Sequence, residues 1–104
     1  MAKTWREIKE SIETNVKEKF KTPSLYKVIL LNDNYTTMDF VVYVLRHIFN
    51  KPTDEATRLM LNVHRQGSAV CGIYTKDIAE TKIATVHDLA MQHGFPLKCT
   101  MEQE

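Results

Sequence analysis

Three consecutive small polar residues, Asn32, Asp33 and Asn34, stand between an apolar run, "YKVILL", and a segment with helical spacing. A connection this short needs one or two turn residues, and Asn and Asp suit turns because their side chains bond nearby backbone and tolerate unusual dihedrals. Three in a row supply two carboxamides and a carboxylate beside much apolar sequence. A calcium loop is a poor match, since no Gly follows at the sixth position and no acidic residue at the twelfth. His64 is the second candidate. On a helix it lies one turn after Met60, which lies one turn after Ala56, so the three share a stripe. His47, His87 and His93 show no ligand spacing with it, so no metal site is read and no cofactor is implied. Asp33 and His64 could act as an acid–base pair if they met, as in a small hydrolase. However, no Ser or Cys sits in a nucleophile-elbow pattern and no Gly-rich phosphate loop occurs. The chain therefore reads as a binder and not an enzyme.

If the 32–34 loop and His64 converge beside Met38 and Met60, they form a pocket with an acceptor-rich, negatively charged rim over an apolar floor. Methionine is ordinary core filler at helical spacing, but it also lines adaptable binding surfaces. The guest matching such a pocket is a cation joined to an apolar group, and a peptide N-terminus with a large apolar first residue has that form. Asp33 would supply charge and an acceptor, Asn32 a side-chain carbonyl, and neutral His64 a ring nitrogen. N-terminal amine capture is a recurring recognition mode. The local alternative leaves the loop as a turn and His64 as a boundary residue.

The elements that must position these groups follow from periodicity. "LYKVILL" (25–31) is β-branched, apolar and bounded by turn residues, which predicts a strand. Thr36 with Asp39 three residues on resembles a capping box. Met38, Val41, Val42, Leu45, Ile48 and Phe49 then predict a helix over roughly 37–49. "NKPT" ends it, and Thr53 is placed to cap a second helix whose buried face carries Ala56, Leu59, Met60, Val63 and His64, with Gly67 as its stop. "SAVCGIYT" (68–75) predicts a second strand, with Gly72 marking a bulge or close backbone contact. Asp77 with Glu80 reads as another cap pair, opening a helix built on Ile78, Ile83, Val86, Leu89 and Ala90 that ends at Gly94 and Pro96. "PLKCTME" (96–102) alternates as a third strand. The order β-α-α-β-α-β predicts an α+β fold: a small three-stranded antiparallel sheet with three helices packed on one face.

Residues 1–22 differ. They are rich in mixed charge, yet Trp5, Ile8, Ile12, Val16 and Phe20 recur at helical spacing. They read as an N-terminal extension, either a flexible arm or an amphipathic helix, and Pro23 marks the boundary to a core domain over 23–104. The 104 residues suffice for one core, and the composition, 43% apolar and 26% charged, is that of a globular protein. A net charge of +1 argues against a nucleic-acid or anionic-lipid surface. No apolar run reaches the length of a membrane span, and residues 1–22, without an apolar block and with Glu7, Glu10 and Glu13, do not read as a signal or transit segment. Cys71 and Cys99 lack metal-ligand spacing and read as buried thiols of a cytosolic protein.

"YKVILLNDNYTTMDFVVYVL", "ATRLMLNVHRQG", "CGIYTKDIAETK" and "PLKCTME" together resemble the ClpS family, the bacterial adaptors of the N-end rule, from about Ser24 to the C-terminus. The resemblance implies a cytoplasmic adaptor that binds N-terminal Leu, Phe, Tyr or Trp and delivers its cargo to a ClpA-type AAA+ unfoldase working with the ClpP protease. By position, it implies that Asn32, Asp33 and His64 hold the α-amine, and that Thr36, Met38, Val41, Met60, Val63 and Leu97 line the side-chain pocket. Met38 would be a gate against β-branched first residues, and Asp77, Thr81 and Lys82 would face the unfoldase. Asn34 stands where the family often has a second Asp, Thr37 replaces a common Pro, and Ser68 replaces a frequent Lys. The rival module is a ribosomal-stalk-like domain that docks a partner through a helix face and recognises no N-termini.

Overall fold

The computed structural model describes residues 4–19 and 23–104. The elements run α1 (Trp5–Lys19), β1 (Leu25–Leu31), α2 (Met38–His47), α3 (Thr53–Gln66), β2 (Ser68–Thr75), α4 (Lys76–Gln92) and β3 (Lys98–Gln103). After α1, this is the predicted β-α-α-β-α-β order. The expected N-terminal stripe forms a helix, and its Trp5, Ile8 and Ile12 are exposed. Phe20 and residues 21 and 22 lie outside the described residues.

The three strands form one antiparallel sheet in the order β2-β1-β3, so the most apolar strand is central. Alternation along β1 buries Val28 and Leu30 completely, while Lys27, Ile29 and Leu31 take the opposite face. The helices cover the Val28 and Leu30 side. Val44 and Leu45 of α2, Ala56 and Val63 of α3, and Val86 and Ala90 of α4 join them in one core with Cys71 and Cys99. Burial pushes both thiols up to about 12, with Cys99 adding to the effect on Cys71, so both are unreactive packing groups.

The β1–β2 register shifts between Val28, which faces Gly72, and Ile29, which faces Val70. Cys71 is the extra residue of this bulge. Gly72 has the close approach its sequence position suggested: a Cβ there would meet the Tyr74 ring, with Cε2 at 2.6 Å. That ring is half of a clamp. Lys82 on α4 donates from Nζ to the Ile48 carbonyl at 2.6 Å, just past the end of α2. The same ammonium lies 5.2 Å from the Tyr74 ring centroid and 5.9 Å from that of Phe49. A carbonyl left without a partner at a helix end is thus satisfied by a cation, which also favours the negative end of the helix dipole.

Several local expectations are corrected. The cap of α2 is Thr37, whose Oγ1 accepts from Phe40 N at 3.2 Å, and not Thr36, whose hydroxyl donates to Asp33 instead. Thr53 is the first residue of α3, behind Pro52, and makes no capping bond with its side chain. Neither does α4 have a side-chain cap, since Thr75 precedes it and Asp77 lies in its first turn. Ile78, expected on the buried face, is 49% exposed, because Ala79 takes the inward position. β3 starts at Lys98 because the turn at Gly94 to Pro96 delivers the chain there.

Replacing Lys82 with Ala removes one charge-assisted hydrogen bond and two ring contacts. Unfolding in urea is expected to show a loss of about 1–3 kcal/mol. An unchanged midpoint would mean that the clamp contributes nothing to the fold.

Candidate functional site

The residues that close the loop after β1 come first. Asp33 Oδ1 accepts from the backbone N–H of Tyr35 at 2.8 Å and of Thr36 at 2.7 Å, and Oδ2 accepts from the Thr36 hydroxyl at 2.6 Å. Partial burial raises the Asp33 pKa, but the three hydrogen bonds, that of the Thr36 side chain foremost, outweigh it and hold the carboxyl below its ordinary value of 3.8. The loop is therefore folded around its own anion. Asn32 N donates to Gly67 O at 2.9 Å, which fastens the loop to the turn after α3. Gly67 caps that helix at φ 90, a left-handed conformation that Gly adopts without strain. His64 lies on the last turn before it and so stands beside the loop.

The two segments enclose a hollow of about 360 Å³, within the usual range for ligand sites. Its polar wall consists of Asn32, Asp33, Asn34, Thr36, Thr37 and His64, and its apolar wall of Met38, Val41, Met60 and Val63. Val41 and Val63 are almost fully buried and form the floor, whereas Met38, at the first turn of α2, is 44% exposed at the mouth. Met38 and Val41 share one face of α2, and Met60, Val63 and His64 one face of α3, because residues three or four apart are helix neighbours. Among the described residues, the side chains of Asn32 and His64 have no hydrogen-bond partner, which leaves their polar atoms free for a ligand.

The sequence-derived set thus meets in one place, with one exception. Leu97 is 3% exposed and does not line this hollow; it lies on the wall of another, between α4 and β3, with His87 and Met91. The chain turns at Gly94 and Phe95 packs on Phe40, 4.8 Å between ring centroids, which carries Leu97 into the core. Asn34 lines it as part of the 32–34 loop, and Thr37, not expected there, joins it because the loop closes around Asp33. Asp77, Thr81 and Lys82 sit on α4, away from the hollow. Asp77 and Thr81 are exposed, and the Thr81 hydroxyl donates to the Asp77 carbonyl at 3.0 Å; Lys82 is half-buried in its clamp. Among the described residues no group of three or more His, Cys, Asp or Glu could hold a metal, and no helix is long and apolar enough to cross a membrane.

Residues 21–100 match the sequence model of the family described as ATP-dependent Clp protease adaptor protein ClpS. The chain belongs to the ClpS family. ClpS adapters of Caulobacter vibrioides (strain NA1000 / CB15N) and Parvibaculum lavamentivorans are 56% and 59% identical over 94 and 91 residues. These alignments cover 90% and 88% of this chain and 86% and 83% of the relatives. Among solved structures, Agrobacterium tumefaciens ClpS2 bound to L-phenylalaninamide superposes with a TM-score of 0.77 at 48% identity, covering 80% of this chain and all of that one. The sheet and helix arrangement is therefore the ClpS fold, and the chain is an adaptor of a Clp protease and not itself an enzyme.

Replacing Asp33 with Ala is expected to lower the unfolding free energy near pH 7 by about 0.5–2 kcal/mol, the scale of a lost capping side chain. The native pKa is lowered, so the wild-type advantage is fully present above 3.8 and shrinks as pH falls through the lower native value. Urea titrations of both proteins across this range check the sign. An advantage that grew on acidification would contradict it.

Proposed function

We propose that the hollow binds the first residue of substrate proteins when it is Leu, Phe, Tyr or Trp, and that the bound chain is then passed to a ClpA-type unfoldase working with ClpP. The observation that carries this reading is the meeting of unpartnered acceptors on Asn32 and His64, and the Asp33 charge, with the floor of Val41, Met60 and Val63. An α-ammonium brings three N–H donors and a positive charge to that rim, and the first side chain enters the apolar end. The relative's ligand, L-phenylalaninamide, combines a free α-amine with a benzyl group, the same chemistry. Asn32 through its side-chain carbonyl and His64 through a ring nitrogen accept hydrogen bonds from the amine. Asp33, already accepting three, acts chiefly through its charge.

Burying a Leu or Phe side chain contributes about 1.5–3 kcal/mol, and each charge-assisted hydrogen bond a similar amount. After the cost of association, affinity near micromolar, about 8 kcal/mol, follows. An adaptor has to release its cargo, and this strength permits it. Met38, at the mouth, rejects the extra branch of Ile or Val by contact, so selectivity comes from exclusion.

Residues 23–104 form the binding core in this reading, and 1–22 the extension that takes part in delivery. Asp77 and Thr81 meet the unfoldase from the exposed start of α4, and Lys82 supports that face from beneath through its clamp to Ile48. In keeping with a bacterial family, the protein would work in the cytoplasm.

Fluorescence anisotropy with Phe-initiated peptides, free and N-acetylated, tests the mechanism. The free amine should be required, and His64→Ala should weaken binding by roughly 1.5–3 kcal/mol. Equal affinity for the two peptides would eliminate amine capture and favour a helix-face docking module. Met38→Ala should admit Ile- and Val-initiated peptides; continued exclusion would show that another residue is the gate.

A further inference from the structure

The 32–34 loop has a second side. Behind it, a hollow of about 380 Å³ is walled by the loop itself together with Leu31, Tyr35, Pro96 and Lys98. Asn32, Asp33 and Asn34 line both hollows, so the two are neighbours across one thin wall. The second is built by the sheet. Lys98 is the ladder partner of Leu31, the residue just before the loop, and both lie on the face turned away from the core. Pro96 is held near them by Phe95, which packs on Phe40. Tyr35 is 78% exposed, and with Leu31 and Pro96 it offers an apolar platform. Lys98 is exposed, and among the described residues it has no ion-pair partner. Asp33 and Lys98 are the charged residues of this wall.

We propose that the second hollow receives the second and third residues of the same peptide, and that Lys98 selects for an acidic side chain there. This rests on the proposed capture of the N-terminal residue in the first hollow. A peptide anchored by its amine at the loop must leave over one of the loop's edges, and the second hollow continues the site on the side where an apolar platform and an unpaired cation wait. Once the ammonium offsets the Asp33 charge, Lys98 is the uncompensated charge at the exit. A carbonyl or carboxamide at position 34, unlike a carboxylate, does not oppose an incoming acidic residue.

The test uses the full chain and four peptides that begin with Phe, carrying Asp, Ala or Lys at the second and third positions, with an N-acetylated Ala version as control. Anisotropy at low salt should rank Asp over Ala over Lys, with steps of about two- to five-fold, the scale of an exposed ion pair. The preference should shrink at high salt, which screens exposed charges. Lys98→Ala should flatten the ranking and Lys98→Glu should reverse it, while both variants keep their affinity for the Ala peptide within about two-fold. A ranking that persists in Lys98→Glu, or no ranking in the wild type, overturns the assignment of this hollow while amine capture stands. If the acetylated control binds as well as its free counterpart, capture itself fails and this inference falls with it.

Discussion

The hydrogen bond from Asn32 N to Gly67 O, 2.9 Å long, fixes what the rest of the site depends on. It extends the β1–β2 ladder one step past its last pair, Leu31 with Ser68. Two chain ends distant in sequence are thereby held side by side: the exit of the central strand and the exit of α3. Gly67 makes this possible by turning the helix directly into β2 at φ 90. His64, one turn back, then stands over the loop, and Met60 and Val63 follow on the same helix face. On the other edge of β1, the pairing of Leu31 with Lys98 sets the wall behind the loop. Both sides of the 32–34 segment are thus consequences of one strand's register.

Under the proposed function, Asp33 has two tasks that compete for its oxygens. Its three accepted hydrogen bonds close the loop before any ligand arrives, which reduces the ordering needed on binding. A carboxylate has about four acceptor sites, so roughly one remains for an amine. The charge, unlike the lone pairs, is not consumed by these neutral donors. In the proposed amine capture this divides the labour: the unpartnered Asn32 and His64 supply direction, and Asp33 supplies attraction. On that proposal, the three polar residues where a turn needs fewer are accounted for. One closes the loop, while its neighbours keep their acceptors free.

Strands were legible because their signals are local. Leu25–Leu31 and Ser68–Thr75 were read with the bounds they have, since β-branched runs end at turn residues. The meeting of Asn32, Asp33 and His64 was legible through the family resemblance and through the chemistry of an acceptor-rich loop, not through spacing, because the contact joins residues some thirty apart. Three misreadings share a cause. Thr36 and Asp39 matched a capping pattern, but the Asp33 carboxylate competes for Thr36 and leaves the cap to Thr37. Leu97 was placed on the pocket wall, while packing around Phe40 and Phe95 draws it inward. Ile78 satisfied helix periodicity, but Ala79, smaller and fully buried, is what fits against the sheet. In each case a tertiary contact decided between two positions that local pattern could not distinguish.

Lys82 serves the fold from the helix face proposed to meet the unfoldase. The family resemblance turns it, with Asp77 and Thr81, toward the unfoldase. Its ammonium instead satisfies the Ile48 carbonyl and lies against two aromatic rings. The Tyr74 ring can take that place because Gly72 has no Cβ to displace it. The bulge residue Cys71, the glycine beside it, the tyrosine and the lysine therefore form a chain of dependence from the middle of β2 to the end of α2. The exposed Thr81 adjoins the lysine and the exposed Asp77 lies between one and two turns before it, so the orientation of α4 relative to α2 sets how they are presented. Under the proposed function, a partner that reads this face meets a helix that the Lys82 clamp ties to the end of α2.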